Sequence, residues 1–333
     1  KLPDEVEDQL EEYVRQSADN ELPRPTGDGI GKIEHNSNLA HFYAHFVRHT
    51  IDTSLEGMTI VYDGANGAAS SVGPEILAGL GAKVININVN PDGLNINHHC
   101  GSTHIEGLQV AVQQHNADLG IANDGDADRC LLVDEKGQVL DGDQIMLLCA
   151  LKLKEEGKLK DDTVVGTVMS NIGFHKAAQE LGMKTFATAV GDRYVLEYMR
   201  EHNLSVGGEQ SGHVIFLDHN TTGDGMLTAV QVAALMKEKN QPLSELAGIM
   251  TKYPQVLINV RVATKTGWED NDIIKAAIVT AEGELGVEGR VLVRASGTEP
   301  LIRVMAEGPN QEELQALCQE IADIIGREQG LAE

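Results

Sequence analysis

Apolar residues follow two alternating spacings through the middle of the chain. MTIVYDG (58–64), AKVININ (82–88), ADLGIAN (117–123), TVVGTVM (163–169), KTFATAV (184–190) and VGGEQ (206–210) read as strands, each bounded by turn residues. Between them LAHFYAHFVRHTID (39–52), GPEILAGLG (73–81), IEGLQVAVQQH (105–115), DQIMLLCALKLKEE (143–156), GFHKAAQELG (173–182) and RYVLEYMREH (193–202) read as helices. Strands alternating with helices predict tandem α/β domains with mixed, largely parallel sheets covered on both faces, dividing near Gly137 to Asp141.

The pattern changes after a helical stretch from Asp224 to Met250. QVLINVRVA, RVLVRAS and PLIRVMAEG alternate apolar with polar, and DIIKAAIVTAEGEL and QEELQALCQEIADII carry helical stripes. This predicts a C-terminal α+β domain with an antiparallel sheet. The expected division is 39–137, 138–252 and 253–333. Ahead of these, Leu2, Val6, Leu10, Tyr13 and Val14 mark the apolar face of one helix, followed by a Pro/Gly-rich connector to residue 38. A lone helix has little to bury such a face against, so residues 1–38 are expected to be the end of a domain whose earlier part is missing.

Net charge is −25, from 26 basic and 51 acidic residues. Such a surface repels nucleic acid and anionic lipid, so phosphate must be held locally by Arg, backbone N–H groups or metal. Four scattered cysteines without a C-x-x-C pair, and no apolar run of spanning length, point to the cytoplasm.

Polar loops fall at the expected C-terminal ends of strands, where open α/β sheets bind ligands. In NDGDADR, Asp124, Asp126 and Asp128 repel one another unless a hard cation such as Mg²⁺ or Ca²⁺ lies between them. An EF-hand nearly fits, since Glu135 stands at the twelfth position, but Arg129 occupies the sixth, where Gly is needed, and the flanks read as strands. A solvated acidic turn is the plainer alternative. In GGEQSGH, Glu209 and Ser211 suit sugar hydroxyls and His213 suits proton transfer near neutral pH; a tight hairpin turn explains the same residues without a ligand. RASGTEPLIR has the make-up of a phosphate cradle, with Gly297 turning N–H groups inward, Ser296 and Thr298 adding hydroxyls, and Arg294 and Arg303 adding charge. An ordinary strand connection is its alternative. His41, His45 and His49 on one helical face, and NHHCGSTH at 97–104, are weaker metal candidates, and DGANG at 63–67 reads as a structural turn.

The ordered set DGDADR, GEQSGH and RASGTEP resembles the α-D-phosphohexomutase superfamily across nearly the whole chain. GEQSGH followed by IFLDHNTTGDG, with CGSTH, is most similar to its bacterial phosphoglucosamine mutase branch. The resemblance implies that Asp124, Asp126 and Asp128 hold Mg²⁺, with Arg129 beside the reacting phosphate and His213 as a proton carrier. It implies that Glu209 and Ser211 grip sugar hydroxyls and that Gly191, Asp192 and Arg193 border the cleft. Arg294, Ser296, Gly297, Thr298 and Arg303 would bind the phosphate that is not transferred. The implied reaction is glucosamine 6-phosphate to glucosamine 1-phosphate through a phosphoserine and glucosamine 1,6-bisphosphate. The implied partner is a small phosphosugar, with neither nucleic acid nor membrane, and a homodimer is compatible. The superfamily's serine motif, T-A-S-H-N-P, is absent from these residues, and Ser170 in VMSNIG lacks those neighbours. The 333 residues alone are therefore expected to be inactive. Phosphomannomutase or phosphoglucomutase activity, or non-catalytic sugar-phosphate binding, are the alternatives.

Overall fold

A computed structural model describes residues 2, 4–18, 22–34, 36, 38–296 and 299–330. Helix α1 (Asp4–Ala18) forms as its apolar period requires, and its face is open, with Val14 70% and Tyr13 55% exposed. Helix α2 (Asn38–Arg48) precedes the first sheet, built from β1 (Thr59–Asp63), β2 (Lys83–Ile87), β3 (Leu119–Asn123), β4 (Cys130–Asp134) and β5 (Val139–Leu140). Their order is β2-β1-β3-β4-β5. The first three strands are parallel, linked by α3 (Val72–Gly79) and α4 (Glu106–His115), while β4 and β5 return antiparallel. Val139 and Leu140 lie beyond the division expected at 137, yet they pair with Val133 and Leu132 of this sheet.

Asp141 then caps α5 (Gly142–Glu155), its side chain accepting from Asp143 N and Gln144 N. The second sheet comprises β6 (Thr163–Thr167), β7 (Lys184–Thr188), β8 (Val206–Gly208) and β9 (Val214–Phe216), in the order β7-β6-β8-β9. Again three strands are parallel, linked by α6 (Ile172–Glu180) and α7 (Asp192–Glu201), and the last is antiparallel. Helix α8 (Gly225–Lys239) is buried along most of its length between the two units, and their apolar residues merge into one core that runs from Leu55 and Tyr62 to Phe174 and Val230. The stretch expected to stay helical to Met250 breaks at Asn240, whose left-handed backbone ends α8; a short α9 (Leu243–Leu246) follows.

The third sheet is antiparallel, as alternation predicted: β10 (Gln255–Arg261), β11 (Arg290–Ala295) and β12 (Leu301–Glu307) in the order β10-β12-β11, backed by α10 (Asp272–Leu285) and α11 (Gln311–Gln329) around a separate core. It meets the second unit just past the C-terminal end of β6. Buried Glu307 accepts from Arg290 Nε (2.6 Å), Ile172 N (2.9 Å), Gln255 Nε2 (3.0 Å) and Asn171 Nδ2 (3.2 Å), and Arg290 also donates to Ser170 O.

Asp143 lies under this junction, fully buried and accepting from Asn171 N at 2.7 Å. Burial, reinforced by Asp141, pushes its pKa up to about 7. A carboxyl with a raised folded-state pKa binds its proton more tightly in the native state, so its penalty is absent below the unfolded value and complete above the folded one. Stability should therefore fall between about pH 4 and pH 7 on its account. Asp143→Asn should be more stable than the parent by on the order of 4 kcal/mol at pH 8 and roughly equal at pH 4. Denaturant titrations at both pH values test this, and an equal gain at both would rule out the carboxyl as the cause.

Candidate active site

The metal-loop residues occupy the tight connection from β3 to β4, where Asn123 pairs with Cys130 across the hairpin mouth. The flanking strands exclude the helix–loop–helix arrangement of an EF-hand. One oxygen from each of Asp124, Asp126 and Asp128 lies within 4.8 Å of the others, and no other such group of acids, histidines or cysteines occurs among the described residues. The histidine clusters are accounted for differently. His41 pairs with Glu75 at 2.9 Å, a carboxylate from the neighbouring helix that spacing alone did not reveal, and His45 stacks on His49.

Burial, then repulsion by Asp124 and Asp126, raises the pKa of Asp128 to about 7, with Arg129 opposing. Its buried Oδ1 has no hydrogen-bond partner among the described residues. Arg129 Nε stands 3.6 Å from Asp124 and 3.9 Å from Asp128, a loose arrangement of one cation among three carboxylates. Three converging oxygens with one unsatisfied lone-pair set fit a small, hard divalent cation that keeps water in its remaining positions.

Three supports that sequence reading missed hold this loop. Tyr62 donates to Asn123 Oδ1 at 2.9 Å, and Asn123 Nδ2 donates to Arg129 O at 2.8 Å, tying the loop's two ends together inside the core. Ala68 N in the turn after β1 donates to Gly125 O. Gly225 N, opening α8, donates to Ala127 O at 2.9 Å, an approach so close that a Cβ there would lie 2.2 Å from Arg129 O. A Tyr inside a strand and a Gly after an Asp cap carry no chemical signature, so only the tertiary contact reveals them.

The GEQSGH loop joins β8 to β9, and its Gly142 neighbour plays the part of Gly225: Gly142 N, opening α5, donates to Gln210 O at 2.9 Å. A Cβ at Gly142 would lie 2.0 Å from Glu209 O. Cys130 N donates to Gly212 O, and Arg129 bridges His213 as an isolated antiparallel pair, so the two hairpins are joined backbone to backbone. His213 is buried, with Nε2 3.5 Å from Asp128 and 3.9 Å from Asp192; burial lowers its pKa although Asp192, Glu209 and Asp124 pull the other way. A neutral imidazole can accept a proton there. Glu209 Oε1 accepts from Gly191 N at 3.0 Å, Ser211 is exposed, and Arg193 pairs with Glu197 along α7. Gly191, Asp192, Glu209, Ser211 and His213 thus cluster with the metal loop, while the described pairing of Arg193 is with its own helix.

In the third domain Arg294 and Arg303 face each other across β11 and β12. Burial and this like-charged neighbour lower the pKa of Arg294, and Arg303 Nε is buried without a hydrogen-bond partner among the described residues. Two guanidiniums paired across a hairpin, one with an unused buried donor, suit a doubly charged anion. Ser296 is buried, its hydroxyl accepting from Glu299 N. Gly297 and Thr298 lie outside the described residues.

Comparison with known proteins gives a consistent picture. Three families match in succession: "Phosphoglucomutase/phosphomannomutase, alpha/beta/alpha domain II" over residues 40–137, "alpha/beta/alpha domain III" over 141–253 and the "C-terminal domain" over 257–324. The phosphoglucosamine mutase of Symbiobacterium thermophilum is 54% identical over 330 residues, covering 98% of this chain and 73% of that protein. That of Bacillus subtilis is 49% identical over 331 residues, covering 99% and 74%. Among solved structures, a phosphoglucomutase/phosphomannomutase family protein from Burkholderia thailandensis superimposes with a TM-score of 0.75 at 21% identity, covering 96% of this chain and 70% of that one. N-acetylphosphoglucosamine mutase from Aspergillus fumigatus, solved with GlcNAc-6P and magnesium, gives 0.68 at 23% identity, covering 85% and 68%. At those identities the two structures speak to the fold alone.

Proposed function

Because this chain belongs to the phosphoglucosamine mutases, within the phosphoglucomutase/phosphomannomutase superfamily, we propose that its loops bind glucosamine phosphates during interconversion of the 6- and 1-phosphates. The convergence of Asp124, Asp126 and Asp128 beside a buried, neutral-leaning His213 is the observation that carries this reading. Mg²⁺ held by the three carboxylates would supply positive charge to the phosphoryl group in transfer. Arg129 would steady that group, Glu209 and Ser211 would accept and donate to sugar hydroxyls, and His213 would take the hydroxyl proton. Gly191, Asp192 and Arg193 would close the rim of the cleft. Arg294 and Arg303, with Ser296, Gly297 and Thr298, would hold the spectator phosphate, and glucosamine 1,6-bisphosphate would be the species between the two monophosphates. The four cysteines are free and buried, and no described helix is long and apolar enough to cross a membrane; the reading places the reaction in the cytoplasm.

Two measurements probe the assignment. Mg²⁺ should bind weakly, since three protein oxygens leave water in the remaining sites. In calorimetry the Asp126→Ala variant should lose this binding, and unchanged Mg²⁺ heats would remove the metal assignment. Asp126 is exposed, so the variant should fold normally. Arg294→Ala should cost roughly 1.5–3 kcal/mol of glucosamine 6-phosphate affinity, the range for a charged hydrogen bond, and leave binding of unphosphorylated glucosamine unaltered. Equal phosphosugar affinity in the variant would place the cradle elsewhere.

A further inference from the structure

One cavity among the described residues lies away from the loops described above. A cavity of about 530 Å³ opens between the segment after α2, the second half of α5, the turn after β9 and the second half of α8. Gln231, Leu235 and Glu238 line it at helical spacing on α8, as do Cys149 and Leu153 on α5 and Glu156 at its C-cap. Both helices begin against an active-site loop, at Gly225 and Gly142, and the cavity lies roughly 10–20 Å further along each at 1.5 Å per residue. It is a separate site.

Its chemistry is two-sided. Ile51, Leu153, Phe216 and Leu235 give an apolar floor, and Gln231 Nε2, which donates to Thr50 Oγ1 at 3.0 Å, gives a fixed polar point. Three ion pairs ring the mouth: Lys152 with Glu238 at 3.0 Å, Lys158 with Glu156 at 2.6 Å and Lys160 with Asp218 at 2.6 Å. In a chain with 26 basic and 51 acidic residues, three lysines at one opening are a local concentration. Each lysine already has its acid. A purely anionic ligand would have to displace a carboxylate and leave it without its partner, and a purely cationic one would do the same to a lysine or rest on the exposed, solvated Asp52 alone. A ligand carrying both charges inserts between the members of a pair and leaves neither unmatched. The volume falls within the range of small-molecule sites, and the apolar floor calls for an apolar body.

We propose that this cavity binds a small zwitterion with an apolar body, of the class of aromatic or branched amino acids. The inference is independent of the phosphosugar reading. The probes are L-phenylalanine and L-leucine, with 2-phenylethylamine and 3-phenylpropanoate as singly charged counterparts, followed by calorimetry and ligand-observed NMR on the whole chain. The expected result is saturable binding of the amino acids, at least about tenfold tighter than the singly charged molecules. Leu153→Trp, which fills the floor, should abolish it. Lys158→Gln alters an exposed side chain that the fold does not require and should weaken binding roughly tenfold. Either singly charged molecule binding as tightly as L-phenylalanine would overturn the ligand class. Absence of saturation by both amino acids below about 10 mM, or undiminished binding by both variants, would overturn the site.

Discussion

Residues 1–333 by themselves, supplied with Mg²⁺, glucosamine 6-phosphate and glucosamine 1,6-bisphosphate, are expected to give no detectable interconversion of the two monophosphates. Transfer through a phosphorylated enzyme needs a hydroxyl held in line with the phosphorus beside the metal. Ser170 is fully buried, with its hydroxyl accepting from Thr167 N, and Ser70 is also buried. Ser211 is exposed but stands in the loop assigned to sugar hydroxyls. On this reading the remaining loops bind and orient a ligand, while no serine of the chain has the motif's neighbours to accept or return the group. A longer protein that contains the superfamily's serine motif should turn over, and replacing that serine by alanine should remove most of the rate. A coupled assay with intact-mass spectrometry decides the matter: steady turnover, or a stable phosphoserine within residues 1–333, would show that the nucleophile lies among the residues considered.

Glu307→Ala should cost roughly 3–5 kcal/mol, the range for stripping one partner from a buried charged pair. The carboxylate is fully buried at a point where all three strands of the third sheet meet, since Gln255 and Arg290 both lie opposite it in register. It also receives Asn171 and Ile172 N from the second unit. Its loss leaves the Arg290 guanidinium, two side-chain amides and a helix-start N–H short of an acceptor at once. Glu307→Gln retains an acceptor oxygen and should cost less. Denaturant unfolding measures the total, and the rate of protease cutting near residues 250–254 reports detachment of the third domain. An alanine variant within about 1 kcal/mol of the parent would mean that apolar contacts alone hold the junction.

Alternation of strand and helix periods made the two α/β units and the antiparallel third sheet readable from the chain, because each long element buries one continuous face. The convergence of Asp124, Asp126 and Asp128 was readable too, since carboxylates at every second position of one tight loop are held close together. The short returns were not. Strands β5 and β9 have two and three residues, too few to establish a period, and β5 carries the first sheet past the expected boundary. Asp143 reads as an ordinary first-turn acid and Glu307 as the polar end of a strand; only packing shows that both are buried. Arg294 and Arg303 are nine positions apart, and what makes them a pair is the hairpin register.

The joint at Glu307 also has a bearing on descent. The first two sheets share one core and interlocked hairpins, whereas the third has its own core and hangs on a few side chains at one seam. A lineage can therefore exchange the whole terminal module, and with it the two facing arginines, while inheriting the acidic loop unchanged. The toll falls on the seam: Asn171, Arg290 and Glu307 have to travel together, and their substitutions among relatives should be correlated even where the surrounding sequence drifts freely.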